Sequence, residues 1–280
     1  MPFSVIIWDP SIGIDLGFFT IRYYSLMYLI AFSLGWYIMK YIFKKEGVKL
    51  EKLDALFIYM ILGTLIGARL GHVIFYQPEL FKEDFFSVFL PMQFVPTIKF
   101  TGFQGLASHG AAIGILIAMY LYSKKKLHKP MLWIMDRIVI PVASGGVFIR
   151  LGNFINSEIV GKPSDAPWAV KFVQQSAGYG PVVPRHPAQL YEAFGYVLVF
   201  VILWYSYTRT QKRNQRGFIF GLFLILLFLV RFIIEFFKEA QVEERGDWLL
   251  NTGQLLSIPF ILVGIYLMFH SYKKFNPQKA

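Results

Sequence analysis

Long apolar blocks separated by short charged loops dominate the sequence. A helix needs about 20 predominantly apolar residues to cross the hydrocarbon core of a bilayer. By that measure the pattern predicts seven spans, over residues 23–43, 54–76, 106–122, 131–151, 188–207, 217–237 and 253–270. The expected fold class is therefore an all-α polytopic membrane protein with about seven transmembrane helices, forming one integral-membrane domain over residues 1–280.

Composition and charge agree with a membrane protein. Of the 280 residues, 56% are hydrophobic and 16% are charged, and the mean hydropathy is +0.50, which is too apolar for a soluble domain. The formal charge of +11 would also suit a nucleic-acid binder, but the Lys and Arg residues cluster in short loops, so no nucleic-acid partner is expected. The sequence has no cysteine, so a thiol nucleophile is excluded. We expect no cofactor and no metal.

The loops predict an orientation. Basic clusters follow the first, third and fifth predicted spans, at 40–52, 124–129 and 209–216, whereas the alternate loops carry acidic residues without a basic cluster. Because basic loops stay in the cytoplasm, the N-terminus should face outward and the C-terminus inward. The Pro- and Gly-rich segment 152–187 is too long for a turn and should form a small outward head between spans four and five.

Polar side chains within the predicted spans mark a candidate site. An ionisable group in a span is costly unless it faces a partner or a wet cavity, so such residues are functional candidates. Those that fall toward the outward half of the membrane are Arg69, His72, His109, Arg150, Asn153, Arg231 and Glu235. Their common depth predicts one site. Its arginines lack matching acids and so favour an anion, and the natural anion at this depth is the phosphate of a membrane lipid.

Several of these residues also have a purely structural interpretation. Arg231 and Glu235 are four residues apart and would pair within one helix. Arg69 and His72 would snorkel to the interface from near a helix end. Tyr24 fits an aromatic belt. These alternatives stay open at the level of the residues alone.

His109 is the imidazole with the strongest case for chemistry. It is followed by Gly110, Ala111 and Ala112, which allow backbones to approach closely. A neutral imidazole in such a place would take a proton from an incoming nucleophile.

Several motifs resemble those of the prolipoprotein diacylglyceryl transferase family. The clearest is the run RLGNFINSE, which begins at Arg150 and is followed by Gly161. The others, in the order and spacing of the family, are YSLMY from Tyr24, GARLG from Gly67, SHG from Ser108, RHPAQLYE from Arg185, RFIIEFF from Arg231 and GQLLS from Gly253. The resemblance extends along nearly the whole chain.

This resemblance implies an enzyme of lipoprotein maturation in the bacterial inner membrane. The family transfers the diacylglyceryl group of phosphatidylglycerol to the lipobox cysteine of a prolipoprotein, which forms a thioether and releases glycerol phosphate. It implies a seven-span fold with a periplasmic head, a periplasmic N-terminus and a cytoplasmic C-terminus. It also implies catalytic or lipid-binding roles for Tyr24, His109, Arg150, Asn153, Glu158, Gly161, Arg231 and Glu235.

The implied reaction needs a base for the thiol and cations for the phosphate. His109 is the leading candidate for the base, and His72 is the weaker one. Arg150 and Arg231 would hold the phosphate, and Arg69 would assist them.

The remaining residues would support these groups. Glu235 would orient the arginine four residues before it, and Asn153 would donate a further hydrogen bond. Tyr24 would bond to a headgroup or to the sulfur. Glu158 and Gly161 would shape the entrance to the head.

Three positions depart from the family pattern. Ala111 and Ile149 stand where glycine is common, and Leu227 stands where relatives can carry tyrosine.

Two other functions also fit the residues. A secondary transporter of an anionic solute would also need charges inside the membrane, although the sequence shows no internal repeat. A noncatalytic scaffold would tolerate replacement of the candidate residues.

Overall fold

The structure, a computed structural model, describes residues 5–18, 20–90, 92–100, 102, 105–239 and 250–275. It is mostly helical and forms two compact units, one of residues 1–39 with 135–280 and the other of residues 40–134. Within the described ranges the α-helices are α1 (Tyr23–Lys45), α2 (Leu50–Tyr76), α3 (Leu80–Glu83), α4 (Ser108–Tyr122), α5 (Met131–Ile155), α6 (Ala188–Arg209), α7 (Phe218–Ile234) and α8 (Thr252–Phe275).

Each apolar block of the sequence forms a helix, so the predicted helical segments are confirmed. Among the described residues, five helices are long and apolar enough to cross a membrane, namely α1, α2, α5, α6 and α8. Helix α7 is apolar but has 17 residues. Helix α4 has 15 residues and continues directly into a π-helical turn, Ser123–Leu127.

The loops contain short β-strands, which the expected all-α fold class does not include. They are β1 (Ile6–Trp8), β2 (Gly13–Asp15), β3 (Thr20–Arg22), β4 (Met92–Gln93), β5 (Lys99–Phe100), β6 (Val170–Phe172) and β7 (Pro184–Arg185). Strands β2 and β3 form one antiparallel pair, and β4 and β5 form another. Strands of two or three residues are too short to show the alternating pattern by which strands are predicted.

In the unit of residues 40–134, α2 and α4 pack backbone to backbone. The contact is lined by Gly63, Gly67 and Gly71 on α2 and by Gly110 and Gly114 on α4. A Cβ atom added at position 110 would lie 2.7 Å from the Gly71 Cα, and one added at position 114 would lie 2.8 Å from the Gly67 Cα. Small residues at this spacing allow membrane helices to approach closely and gain dispersion energy.

In the other unit, the segment that follows α5 forms a small head together with the N-terminus. Strand β1 pairs in parallel with β6, and β6 pairs antiparallel with β7. Val160, Val170 and Phe172 form the buried core, against which Trp8 and Phe154 pack. The Trp8 indole donates a hydrogen bond to the Phe154 carbonyl oxygen (3.0 Å). This head combines residues 6–8 with the part of the predicted segment 152–187 that follows α5, whereas residues 152–155 belong to the helix itself.

The head is also tied to the chain that follows α7. Gly161 and Lys238 form an antiparallel β-bridge, and the Lys162 amide donates to the Phe237 carbonyl oxygen (2.8 Å). The Arg185 guanidinium forms an ion pair with Glu239 (2.6 Å). These contacts bring the end of α7 to the start of the head.

Asp136 of α5 caps the first turn of α7. Its carboxylate is fully enclosed and accepts hydrogen bonds from the amides of Gly217 (2.7 Å) and Phe220 (2.9 Å). Its neighbour Arg137 donates to the Arg213 carbonyl oxygen (3.1 Å). The pair thus anchors the helix ends that it contacts.

Candidate active site

Arg150 and Asn153 lie in the last turns of α5, where a spacing of three places them on one face. The Arg150 Nη1 donates to the Asn153 Oδ1 (3.1 Å). Its Nη2 donates to the Glu192 Oε1 (3.0 Å). The Arg150 side chain is 11% exposed, and Asn153 is buried. The predicted pair is therefore one hydrogen-bonded group at the end of the helix.

The turn after α5 brings Glu158 back to this group. Asn153 Nδ2 donates to the Glu158 Oε2 (3.1 Å), and Asn156 Nδ2 donates to its Oε1 (3.2 Å). Ser157 and Ile159 have positive φ values of 55° and 56°, which residues other than glycine rarely adopt. The turn is held in this conformation by the Glu158 amide, which donates to the Asn153 carbonyl oxygen (2.9 Å).

Tyr24, at the start of α1, joins the same group. Its hydroxyl lies close to the Asn153 side chain and within electrostatic range of Glu158, and it is 3.2 Å from the Tyr28 hydroxyl. A Cβ atom added at Gly152 would lie 2.7 Å from the Tyr24 ring. Glycine at 152 therefore leaves the space that the tyrosine ring occupies.

Glu192 of α6 is a central residue that the sequence interpretation did not assign. Its side chain is 0% exposed, and its Oε2 lies 3.0 Å from the Lys238 Nζ. Its Oε1 accepts a hydrogen bond from the Tyr196 hydroxyl (2.7 Å) in addition to the one from Arg150. The expectation that the arginines lack matching acids is therefore wrong for Arg150. The signal was present, because an acidic residue near the start of an apolar helix meets the same criterion that selected the arginines.

Glu235 follows α7 and pairs with Lys238 rather than with Arg231. The distance from the Glu235 Oε2 to the Lys238 Nζ is 3.5 Å. The structure records no ion pair between Glu235 and Arg231 among the residues it describes. Arg231 lies instead within electrostatic range of Tyr196. The anticipated intrahelical pair is replaced because a second cation lies three residues beyond the carboxylate.

Gly161 lies where the head meets the end of α7. Its amide donates to the His186 carbonyl oxygen (3.0 Å), and a Cβ atom at this position would lie 2.7 Å from the Phe237 carbonyl oxygen. Any side chain would push the two segments apart. Lys238, which pairs with Gly161 in the β-bridge, is aligned by this contact.

The remaining candidates belong to the unit of residues 40–134. Arg69 donates to the carbonyl oxygens of Ser87 (2.8 Å) and Val88 (3.3 Å). His72 stacks on Tyr76 with ring centroids 5.3 Å apart. His109 is exposed in the first turn of α4 and has no hydrogen bond to any residue that the structure describes.

One carboxylate near these residues is held ionised by backbone amides. Burial opposes ionisation of Asp84, but the amides of Phe94, Val95 and Ser87 donate to it, and the pKa of Asp84 is lowered. The Ser87 hydroxyl also donates to the Asp84 carbonyl oxygen (2.8 Å). These hydrogen bonds also fix the turn whose carbonyl oxygens accept hydrogen bonds from Arg69.

Comparison with known proteins gives one consistent family. The family model for prolipoprotein diacylglyceryl transferase matches residues 11–270. Three similar proteins bear the name phosphatidylglycerol-prolipoprotein diacylglyceryl transferase. The one from Bacteroides fragilis is 41% identical over 270 residues, with 95% of each chain covered. The one from Tolumonas auensis is 42% identical over 266 residues, covering 95% of this chain and 96% of its own. The one from Chloroherpeton thalassium is 39% identical over 278 residues, covering 99% and 98%.

Proposed function

Because the chain belongs to the prolipoprotein diacylglyceryl transferase family, it is a transferase that moves the diacylglyceryl group of phosphatidylglycerol to prolipoproteins, and we propose which of its residues carry the reaction. The cysteine sulfur attacks the terminal glyceryl carbon, a carbon–sulfur bond forms, and the bond from that carbon to the phosphate oxygen breaks. Glycerol phosphate leaves with the bonding electrons. The acceptor is the lipobox cysteine, and the product is a thioether.

Arg150 is the main phosphate ligand, and its bonding carries this proposal. An arginine has five N–H donors, and the contacts with Asn153, Glu192 and Tyr196 engage at most three of them. At least two donors are left for an anion. A guanidinium that is already oriented binds a phosphate in a fixed direction and needs no rearrangement as charge develops.

The other residues of this unit support that clamp. Arg231 supplies a second cation, and Glu235 bears on the clamp through Lys238. Asn153 and Tyr24 provide hydrogen-bonding groups beside the clamp. The turn at Glu158 and the close approach at Gly161 shape the entrance for the substrates.

In the unit of residues 40–134, His109 is the base. Its ring is exposed and its nitrogens are not engaged by described residues, so they are available to an incoming thiol. His72 is packed between Tyr76 and Gly105, which makes it the weaker candidate. Arg69 assists by binding lipid phosphate.

The pairing of distant segments supports seven spans. Strands β1 and β6 pair directly and so lie on one side of the membrane, which requires an even number of crossings between them. Helices α1, α2 and α5 give an odd number, so α4 must cross as well. The bridge between Gly161 and Lys238 likewise requires that α7 crosses after α6. Helix α8 then carries the C-terminus to the opposite side.

The orientation follows from the charges of the loops. The basic loops face the cytoplasm, and the head and the N-terminus face the periplasm. The protein is then an inner-membrane enzyme whose site opens near the periplasmic leaflet, where phosphatidylglycerol and an exported prolipoprotein meet.

A kinetic experiment tests the base. In membranes supplied with phosphatidylglycerol and a lipobox peptide, His109→Gln should reduce turnover by about 100-fold or more, since loss of a general base typically costs 10²–10⁴. The stacked His72 gives the matched variant, and His72→Gln should have a smaller effect. Near-normal turnover of His109→Gln would remove the base from the proposal.

A second experiment tests the phosphate clamp. Arg150→Ala should lower turnover by about 100-fold or more, because loss of one donor to a developing anion costs about 10²–10³. Lys171→Ala, a change of another cation in the head, should stay within about threefold of the wild type. Equal losses in the two variants would contradict a specific clamp.

A further inference from the structure

Glu192 lies between two cations and is closed off from solvent. Its Oε1 is 3.0 Å from the Arg150 Nη2, and its Oε2 is 3.0 Å from the Lys238 Nζ. The carboxylate itself is 0% exposed. A carboxylate in this position does not reach a substrate, but it fixes the two cations that its oxygens contact.

Lys238 extends the arrangement to the end of α7. Its side chain is 6% exposed, and its Nζ also lies 3.5 Å from the Glu235 Oε2. Positive and negative charges thus alternate from Arg150 through Glu192 and Lys238 to Glu235. The four charges balance, which allows a buried network of ions to exist without an uncompensated charge.

We propose that Glu192 and Lys238 are positioning residues of the phosphate clamp. Glu192 fixes the direction of the Arg150 guanidinium, and Lys238 holds Glu192 and Glu235 in register across two helices. This inference rests on the proposed function of Arg150 and extends it to two residues to which no role has been assigned.

The Arg150 guanidinium is held at both of its terminal nitrogens. Asn153 holds one terminal nitrogen of the Arg150 guanidinium and Glu192 holds the other, so the plane of the group cannot turn. Without Glu192, the long side chain would regain rotamers that point its donors elsewhere. The Tyr196 hydroxyl donates to the same Glu192 oxygen (2.7 Å), and so the carboxylate is itself held in place.

The first test removes the charge of Glu192 and keeps its shape. For Glu192→Gln, the KM for phosphatidylglycerol should rise about tenfold, and kcat/KM should fall about 10- to 100-fold, as for other residues that orient a ligand-binding group. The KM for the lipobox peptide should stay within about twofold, because the carboxylate acts on the phosphate side only. Glu239→Gln makes the same change in the ion pair with Arg185 and should leave both KM values unchanged.

The second test concerns Lys238. Lys238→Met keeps an unbranched side chain without the charge and should change the kinetics in the same direction as Glu192→Gln. Lys238→Arg keeps a cation between the two carboxylates and should remain within about threefold of the wild type. If Glu192→Gln does not fold, as judged by thermal unfolding, Glu192→Asp provides a second variant, which should show an intermediate rise in the KM for phosphatidylglycerol.

The outcomes separate this inference from the proposed function. If the wild type transfers no lipid, the proposed function fails. If the wild type is active and Glu192→Gln matches it, only the positioning role fails. A fall in kcat with both KM values unchanged would assign Glu192 to folding alone and would overturn the inference.

Discussion

The packing of α2 against α4 makes a sharp prediction for Gly110→Ala. The new Cβ would lie 2.7 Å from the Gly71 Cα, whereas carbon atoms in contact are about 3.5–4.0 Å apart. The helices would therefore have to separate by about 1 Å. The atoms nearest the new Cβ are main-chain atoms of Gly67 and Gly71. Because no flexible side chain can move aside, the two helices must separate.

The expected cost follows from two opposing effects. Overpacking of a tight contact destabilises a protein by about 1–3 kcal/mol, and alanine in place of glycine recovers at most about 1 kcal/mol of helix propensity. We expect a net loss of about 1–2 kcal/mol in the free energy of unfolding. His109 precedes the substituted residue, and a shift of about 1 Å in a catalytic group costs about 100-fold in rate. Turnover should therefore fall by about 10- to 100-fold.

The assay combines thermal unfolding in detergent with the lipid-transfer rate. The control is Gly145→Ala on α5, where the nearest atom to the new Cβ is the Ala31 Cβ at an ordinary 3.6 Å. That variant should unfold at the same temperature as the wild type or slightly above it, with unchanged turnover. If Gly110→Ala is as stable and as active as Gly145→Ala, the backbone contact between α2 and α4 does not exist as described.

Two further predictions concern a helix cap and a histidine. Asp136→Asn leaves only one acceptor for the amides of Gly217 and Phe220 and should lower the stability by about 1–2 kcal/mol in thermal unfolding. Burial lowers the pKa of His186, so its contribution to stability is present above the unfolded value of about 6.5 and is lost as the pH falls through the lower folded value. Unfolding temperatures measured from pH 8 to pH 5 should fall more for the wild type than for His186→Gln.

Each of these predictions has a direct control. Asp165→Asn changes an exposed carboxylate and should leave the unfolding temperature unchanged, so an equal loss in both variants would contradict the cap. For His186, parallel unfolding curves for the wild type and His186→Gln between pH 8 and pH 5 would show that the imidazole is not held neutral.

The sequence predicts the helices well because hydrophobic length is a strong local signal. Every apolar block becomes a helix, and α5 has Arg150 and Asn153 on one face as their spacing indicates. Pairings between distant segments are harder to predict. The partner of Arg150 is Glu192, which is 42 residues away on another helix, and no periodicity in either segment links them.

The head shows the same limit. Its Pro- and Gly-rich composition indicates a folded loop, but nothing in three apolar residues near the N-terminus indicates that they pair with β6. Glu235 pairs with Lys238 rather than with the expected Arg231 for a similar reason. Spacing along a helix limits which residues can meet, and the geometry at the end of the helix decides which of them do.

The parallel pairing of β1 with β6 also orders events during synthesis. Ile6 pairs with Val170, which follows it by 164 residues, so at about 5–20 residues per second the ribosome needs about 8–33 s to supply the partner of the first strand. Until then the isoleucines of β1 have no sheet to join and are open to chaperones or to premature association. A nascent chain released before β6 emerges would carry its first strand unpaired.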